Sequence, residues 1–598
     1  MVSFSRDFSR DFQRYWLLVL LAIVLPISLA ACNPQGLRSS AAQVSQIVET
    51  QIGDPKTFNF ALSNESPNVF GYIYEGLITE NALTGELEPA LAESWKLSDN
   101  KQQVEVTLRE GLKWSDGQPL TVDDVVFSYQ EIYLNPKIPT DIQDILRIGK
   151  QRKLPTVKKL DDRRVEFTTP EPFAPFLRNS TGLPVMPAHI LRETVTQKDQ
   201  QGNPLFLSTW GTGTDPKKIV CNGPYMLDQY VTSQRVVFKR NPYYWRKDAQ
   251  GNQQPYIERV VWSLVENQNT SLLQFRSGGQ DAIEPLRPED FPLLKQEEKR
   301  GKFTLHVGGP RPGTTFISFN LNQGRRNGKP IVDPIKARWF NNVKFRQAVA
   351  YAIDRQKIVN NIYRGVGVLV NSPIISQSPY FLPPEKGLRV YNFEPDKARE
   401  LLKAGGFTYN SQGQLLDAEG NRVRFTLMTN AENTFRVAIT GQIKQDLAKL
   451  GMQVDLNPIN FNLMIDKLDN TFDWDCYLIL MGGGGRDPHS GTNVWSTEGS
   501  SHNFNPPSLP GKPPIEGRVI ADWEAEISRL YIEGSQELDE TKRKAIYAKT
   551  QQLSQEYLPW IPLANGLLLA AVRDRVQPIQ YPELGDALWN LRELRTVD

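Results

Sequence analysis

The stretch from Glu75 to Tyr129 constrains the fold of this chain more than any other part. Turn pairs at Thr84-Gly85, Asp99-Asn100 and Asp116-Gly117 divide it into short strands. Between two of them "QQVEVTLR" alternates polar and apolar residues, the pattern of a half-buried strand. Thr121 followed by Asp124 then forms a capping-box pattern, and it opens a helix with Val125, Val126, Tyr129 and Ile132 on its apolar side. Strands therefore lead into a helix. The same alternation returns between Phe425 and Tyr477, where "GQIKQDLAKLGMQVDL" reads as helix, glycine turn and strand. At 598 residues the chain exceeds what one hydrophobic core supports, so an α/β protein of two or three domains is expected.

The N-terminus has its own pattern. Arg6, Arg10 and Arg14 precede the apolar run "YWLLVLLAIVLPISLAAC". A basic start, a short apolar stretch and a small-residue end match a secretory signal. The run is short for a membrane span and Pro26 interrupts it. An uncleaved anchor is the competing reading. "LAAC", Leu29 to Cys32, resembles the bacterial lipobox, which implies removal of residues 1–31 and lipidation of Cys32. Residues 32–44 are polar and read as a flexible tether. Cys221 and Cys476 remain, and they read as small buried residues.

Several chemistries find no motif. The four histidines form no H-E-x-x-H and have no cysteine at zinc spacing. There is no G-x-S-x-G and no phosphate-cradling G-x-x-x-x-G-K-[ST]. Asp123-Asp124 and Asp161-Asp162 read as helix-start and turn residues. The net charge of +2, from 69 basic and 67 acidic residues, lacks the basic excess of a nucleic-acid binder. No catalytic site, resident metal or cofactor is expected. One stretch stays open on these grounds: "GGGGRDPHS", Gly482 to Ser490, reads as a phosphate cradle without its lysine, a metal site through His489 and His502, a plain turn, or the lip of a cleft.

The segment beginning at Glu75 resembles the signature region of the family 5 extracellular solute-binding proteins, the oligopeptide, dipeptide and nickel receptors of ABC importers. The matching residues are Ala92 to Trp95, Leu108 to Gly117, Leu120-Thr121 and Asp124-Val125. Further matches follow in the family's order. They are "CNGPYML" at Cys221, "FISFNLN" at Phe316, "VKFRQAVAYAIDRQKIVNNIYRG" at Val343 and "EPDKARELLKAGGF" at Glu394. The third carries Val343, Ala348, Val349, Ala352, Ile353, Ile358, Val359 and Ile362 as one apolar stripe, which predicts a single helix ending at Gly365.

The resemblance implies a two-lobed fold with a hinged cleft and a discontinuous first lobe. By motif order that lobe spans 45–304, with a subdomain inserted at about 80–205, and returns at 556–598; the second lobe spans 305–555. It also implies a monomeric, non-enzymatic receptor on the periplasmic side of the envelope, lipid-anchored to the inner membrane. Such a receptor captures a peptide or peptide-like solute and delivers it to a permease driven by its ATPase. A non-peptide solute (a metal chelate, sugar or opine), a sensor on the same fold and a secreted hydrolase are the other readings. In peptide-binding relatives an Asp of a second-lobe loop pairs with the peptide ammonium, which points to Asp487. This chain departs from the usual pattern there: Gly482, Gly483, Gly484 and Gly485 replace the expected Trp and Asp, and Arg486 adjoins Asp487. Arg486 either neutralises Asp487 or takes a ligand carboxylate. Trp495 and Tyr72 are the aromatic candidates for the pocket wall.

Overall fold

The computed structural model describes residues 44–63, 68–481, 485–509 and 511–597. The predicted signal, Cys32, the tether up to residue 43 and Gly482, Gly483 and Gly484 lie outside the described residues. By contacts the chain forms two units, 1–46 and 47–598, and the hydrophobic cores lie in the second. Among the described residues no helix is long and apolar enough to cross a membrane.

Two sheets organise this unit. In the larger one the spatial order of strands is Phe303–Pro310, Ala564–Arg573, Ala282–Ile283, Gln46–Ile52, Arg259–Val265, Arg235–Arg240 and Tyr225–Val231, with Gly367–Leu369 added along Ala564–Arg573. A strand from near the C-terminus thus lies between two strands that precede residue 311. The smaller sheet runs Gln453–Ile459, Arg424–Asn430, Cys476–Met481, Thr314–Phe319 and Ile561–Pro562. Its Arg424–Asn430 strand is parallel to both neighbours. The helix Thr434–Ala448 makes the crossover between the parallel strands Arg424–Asn430 and Gln453–Ile459, as parallel pairing requires. The hydrophobic cores divide accordingly. One joins residues between Ile47 and Leu264 to Ala570–Leu594, the other lies between Phe316 and Ala564, and a small third core packs under Leu272, Leu294 and Phe303.

The inserted part is a four-stranded antiparallel sheet, Ala92–Leu97, Gln103–Leu108, Arg164–Thr168 and Thr156–Lys159. The helix predicted after Thr121 begins there. Asp124 accepts from the Thr121 N–H at 2.8 Å, and its other oxygen accepts from Ala188 N at 2.9 Å, so one carboxylate fixes two helix starts.

The single helix predicted from Val343 to Gly365 is two. Val343–Ala352 stops at Ile353, and a new helical stretch starts at Arg355. Asp354 causes the break: its side chain caps Lys357 N at 3.1 Å, while its own N–H is held by Asp446 at 3.1 Å. The apolar stripe continues through the break, because both pieces bury the same side in the second core.

Two strand crossings join the sheets, 310–314 and 562–564. Leu563 N donates to Thr315 O at 2.9 Å. The buried Asn565 binds the first crossing with its whole amide. Nδ2 donates to Arg311 O at 3.0 Å and Gly313 O at 2.8 Å, and Oδ1 accepts from Thr315 N at 3.0 Å.

Candidate solute-binding cleft

Beside the crossings lies a cavity of about 470 Å³ with walls from both lobes. Gln51, Lys56, Gln268, Glu284 and Arg287 come from the first, Asn430, Glu432, Asn433 and Phe461 from the second, and Arg311 from the crossing itself. A narrower extension of about 60 Å³ runs between Arg311, Tyr363, Phe435 and Leu480. A second cavity, of about 560 Å³, opens within the first lobe under Tyr72, Trp262, Glu49, Asp586 and Trp589. Gln51 and Glu284 line both of the large cavities, so the two adjoin. Each falls in the size range of small-ligand sites.

The polar wall of the first-lobe cavity is acidic. Glu49 Oε1 accepts from Tyr72 Oη at 2.6 Å and Trp262 Nε1 at 3.0 Å. Glu284 accepts from Tyr581 Oη and from Ala587 N, both at 2.7 Å. Burial raises the Glu49 carboxyl to about 7, and the neighbouring Asp586 charge pushes the same way. Glu284 is likewise raised to about 7, by burial first and then by the charges of Asp586 and Glu49. Burial also raises Asp586. Tyr72, an aromatic candidate from the sequence, stacks on Phe238 and is part of this wall.

The loop after Cys476–Met481 lies elsewhere. Leu480 reaches the narrow extension, but residues 485–495 line none of these cavities. The Asp487 carboxylate is turned inward, where Arg543 grips both oxygens, at 2.7 and 2.8 Å, and His489 N donates at 3.0 Å. The expectation that Asp487 faces a ligand ammonium is therefore corrected for this conformation: Asp487 starts a turn and holds an internal ion pair. Arg486 neither neutralises it nor enters the cavities. Its guanidinium crosses to the first lobe and packs on Gly85 so closely that a Cβ there would overlap it. Gly485 N donates to Ser490 Oγ at 3.2 Å. Trp495 is also corrected: at 4 % exposure it packs among Trp560, Tyr531 and Phe504 in the second core.

This loop closes a second bridge between the lobes, at the rim. His489 Nε2 donates to Ile145 O at 2.9 Å, and its ring meets Phe173 edge to face. Ser500 N donates to Asp144 at 3.0 Å, Arg152 to Ser496 Oγ at 3.1 Å, and Ala174 N to Ser535 O at 2.8 Å. His502 points away, to Val494 O and Glu524, so the two histidines share no ligand position. Among the described residues no group of three potential donors could hold a metal ion.

Residues 86–503 match the family model described as bacterial extracellular solute-binding proteins, family 5 middle, which is more than half of the chain. The chain belongs to family 5. A probable ABC transporter-binding protein from Deinococcus radiodurans is 32 % identical over 543 residues, covering 88 % of this chain and 87 % of that one. Among solved structures, the Agrobacterium fabrum periplasmic binding protein MelB in complex with stachyose superposes with a TM-score of 0.77 at 21 % identity, over 92 % of this chain and 85 % of that one. The oligopeptide-binding protein AppA from Bacillus subtilis, in complex with a nonapeptide, gives 0.74 at 20 % identity, over 92 % and 99 %. The fold is thus the two-lobed periplasmic-binding-protein fold, and the family 5 chain is a substrate-binding protein of an ABC transporter, as its relatives are, and not an enzyme.

Sequence reasoning missed Arg311, Glu49, Glu284, Asp586 and Arg543. Arg311 had a faint signal, standing alone between Pro310 and Pro312. The acids had none, because each is an isolated residue in an ordinary segment.

Proposed function

We propose that this protein captures a peptide or peptide-like solute between its lobes and presents the closed, loaded form to a membrane permease for ATP-driven import. The observation that carries this reading is the cavity of about 470 Å³ whose walls come from both lobes beside the two strand crossings. A ligand held by both walls stabilises the closed arrangement over the open one by its differential contacts. The rim bridge from His489, Ser500 and Ala174 then gives the permease a surface that exists only when the lobes meet. Arg486 and Gly485 belong to that rim and border the entrance.

Cys32 carries the lipid in this reading, holding the receptor on the periplasmic face of the inner membrane near its permease and raising its effective concentration there. The protein works as a monomer, with the first lobe running up to the crossing at 310–314 and resuming after 562–564, and the second lobe between them, a few residues beyond the bounds that motif order implies.

Thermal unfolding of the purified protein against a mixed peptide library tests the ligand class. Stabilisation by peptides, with peptide mass recovered from the washed complex, is the expected result. No shift with any peptide, together with tight binding of a sugar or metal chelate, overturns it. Palmitate labelling that persists in Cys32→Ala would remove the anchor.

A further inference from the structure

The rim bridge joins two cores that belong to different lobes. On one side stand Leu146, Ile148 and Phe173 of the inserted subdomain, packed in the same core as Ile47 and Trp262 of the first lobe. On the other side Val494, Trp495 and Tyr531 belong to the core of the second lobe. The subdomain therefore moves with the first lobe, and the bonds across the rim break when the lobes part. His489 and Phe173 are each 2 % exposed and meet edge to face, with ring centres 4.9 Å apart. Around them Ser500 N donates to Asp144, Arg152 to Ser496 and Ala174 N to Ser535 O, and Gln536 donates to Glu171. Parting the lobes returns the apolar contact to water and breaks hydrogen bonds made by charged side chains.

Arg152 shows what the bridge asks of the chain. It sits at the tip of the hairpin that pairs Ile148 with Lys153, at φ +50°, a left-handed conformation that suits glycine. From there its guanidinium reaches two ways. Nη2 donates to Asp144 Oδ1 at 2.7 Å, and Nη1 donates to Ser496 Oγ at 3.1 Å. The other oxygen of Asp144 accepts from Ser500 N at 3.0 Å. One connected set of bonds thus holds two residues of the second lobe to two of the first. Among the described residues that line the two large cavities, none belongs to this set. Contacts made only when the lobes meet, and made to no solute, shift the balance between open and closed forms by their own free energy. A solute that needs the closed form then binds more tightly, because more of the protein already has that form.

We infer that the Asp144–Arg152 set is a latch that keeps the lobes mostly closed before solute arrives, and so sets solute affinity from outside the cleft. This inference rests on the reading of the protein as a receptor whose lobes open and close.

The test uses the purified full-length chain and three variants, with the radius of gyration read by solution scattering and retention of a free tripeptide pool by native mass spectrometry. Arg152→Gly removes the guanidinium where the backbone already suits glycine, so its Tm is expected to stay close to the native value. Asp144→Ala removes the acceptor of Ser500 N, and Asp144→Asn keeps an oxygen for it. Without the pool, Arg152→Gly and Asp144→Ala are expected to show a larger radius than the native chain. Adding the pool contracts both variants and changes the native radius little. Their retention of the pool falls by up to roughly 10- to 100-fold, the span of a hydrogen bond to a charged group, and Asp144→Asn recovers part of it. Variants with the native radius and native retention overturn the latch and leave the receptor reading standing. A native chain that contracts with the pool as much as Arg152→Gly does also overturns it. Expanded variants with no retention by any chain support the latch and overturn the peptide reading of the solute.

Discussion

Arg543 and Asp487 form a two-point ion pair, Nη1 to Oδ2 at 2.7 Å and Nη2 to Oδ1 at 2.8 Å, with 4 % and 8 % of the two side chains exposed. Arg543 also donates to Gly534 O at 2.7 Å and rests on the Tyr380 ring, so the pair ties the loop of Asp487 to two other segments of the second lobe. Removing one partner leaves a buried charge unmatched. Arg543→Met is therefore expected to cost about 3–5 kcal/mol in urea unfolding, and Asp487→Asn somewhat less, since the amide keeps an acceptor. Replacing both residues together should cost less than the sum of the single changes. Additive losses would show that the two residues act independently.

His489 gives the rim a pH dependence. Nε2 faces the Ile145 carbonyl, so the proton sits on Nε2, and Nδ1 is buried with no partner. Burial holds its pKa below the ordinary 6.5; the Asp487 charge opposes that shift and the Arg543 charge adds to it. The folded form thus prefers the neutral ring. Its contribution is fully present above pH 6.5 and is lost as pH falls through the depressed folded value. The protection of residues 141–150 against hydrogen exchange, taken relative to the intrinsic amide rate at each pH, should fall as pH drops from 6.5 to 5 in the native chain and stay flat in His489→Gln. The same loss of protection in the variant would place the titration elsewhere.

Glu49 and Glu284 have the opposite sign. Both are raised to about 7, so the unliganded fold favours their protonated forms. Their contribution is complete below the ordinary value of 4.5 and is lost as pH rises through about 7. The Tm of the unliganded protein should therefore drop between pH 5 and pH 8. Glu49→Gln removes part of that drop, and adding Glu284→Gln removes more. An unchanged pH profile in the double variant would deny the two carboxyls this role.

Local rules made part of this molecule legible. Thr121 and Asp124 announce a helix start because a cap needs only residues three apart, and the helix-turn-strand around Gly451 is read in the same way. The break at Asp354 was hidden because the apolar stripe runs through it; what stops the helix is Asp446, ninety-two positions later. Asp487 shows the same limit in the cleft. Its partner Arg543 sits in an ordinary charged helix, so the sequence offers a carboxylate beside Arg486 and gives no sign that a different arginine holds it. The acids at 49, 284 and 586 meet only because a C-terminal strand enters the first sheet. Chain order carried the fold, while the charges that shape the cleft are set by packing between distant segments.

Asn565 offers the sharpest test of the hinge. Its amide gives two hydrogens to Arg311 O and Gly313 O and takes one from Thr315 N, holding one crossing strand against the other at 2 % exposure. Asn565→Asp keeps the acceptor for Thr315 but sets a second oxygen against two carbonyls. Asn565→Ala removes all three bonds and leaves their backbone partners to water, if water enters. The aspartate should be the worse of the two, because repulsion and a buried charge add to the lost donors. Unfolding should show losses of roughly 1–3 kcal/mol for alanine and more for aspartate. The position also predicts a conformational effect. Gly313, at φ +112°, already supplies the freedom to bend, so a crossing without its clamp should exchange amide hydrogens faster at 311–315 and give a larger radius of gyration in solution scattering. Loss of stability with unchanged exchange at those residues would make Asn565 a packing residue and move the hinge to another point.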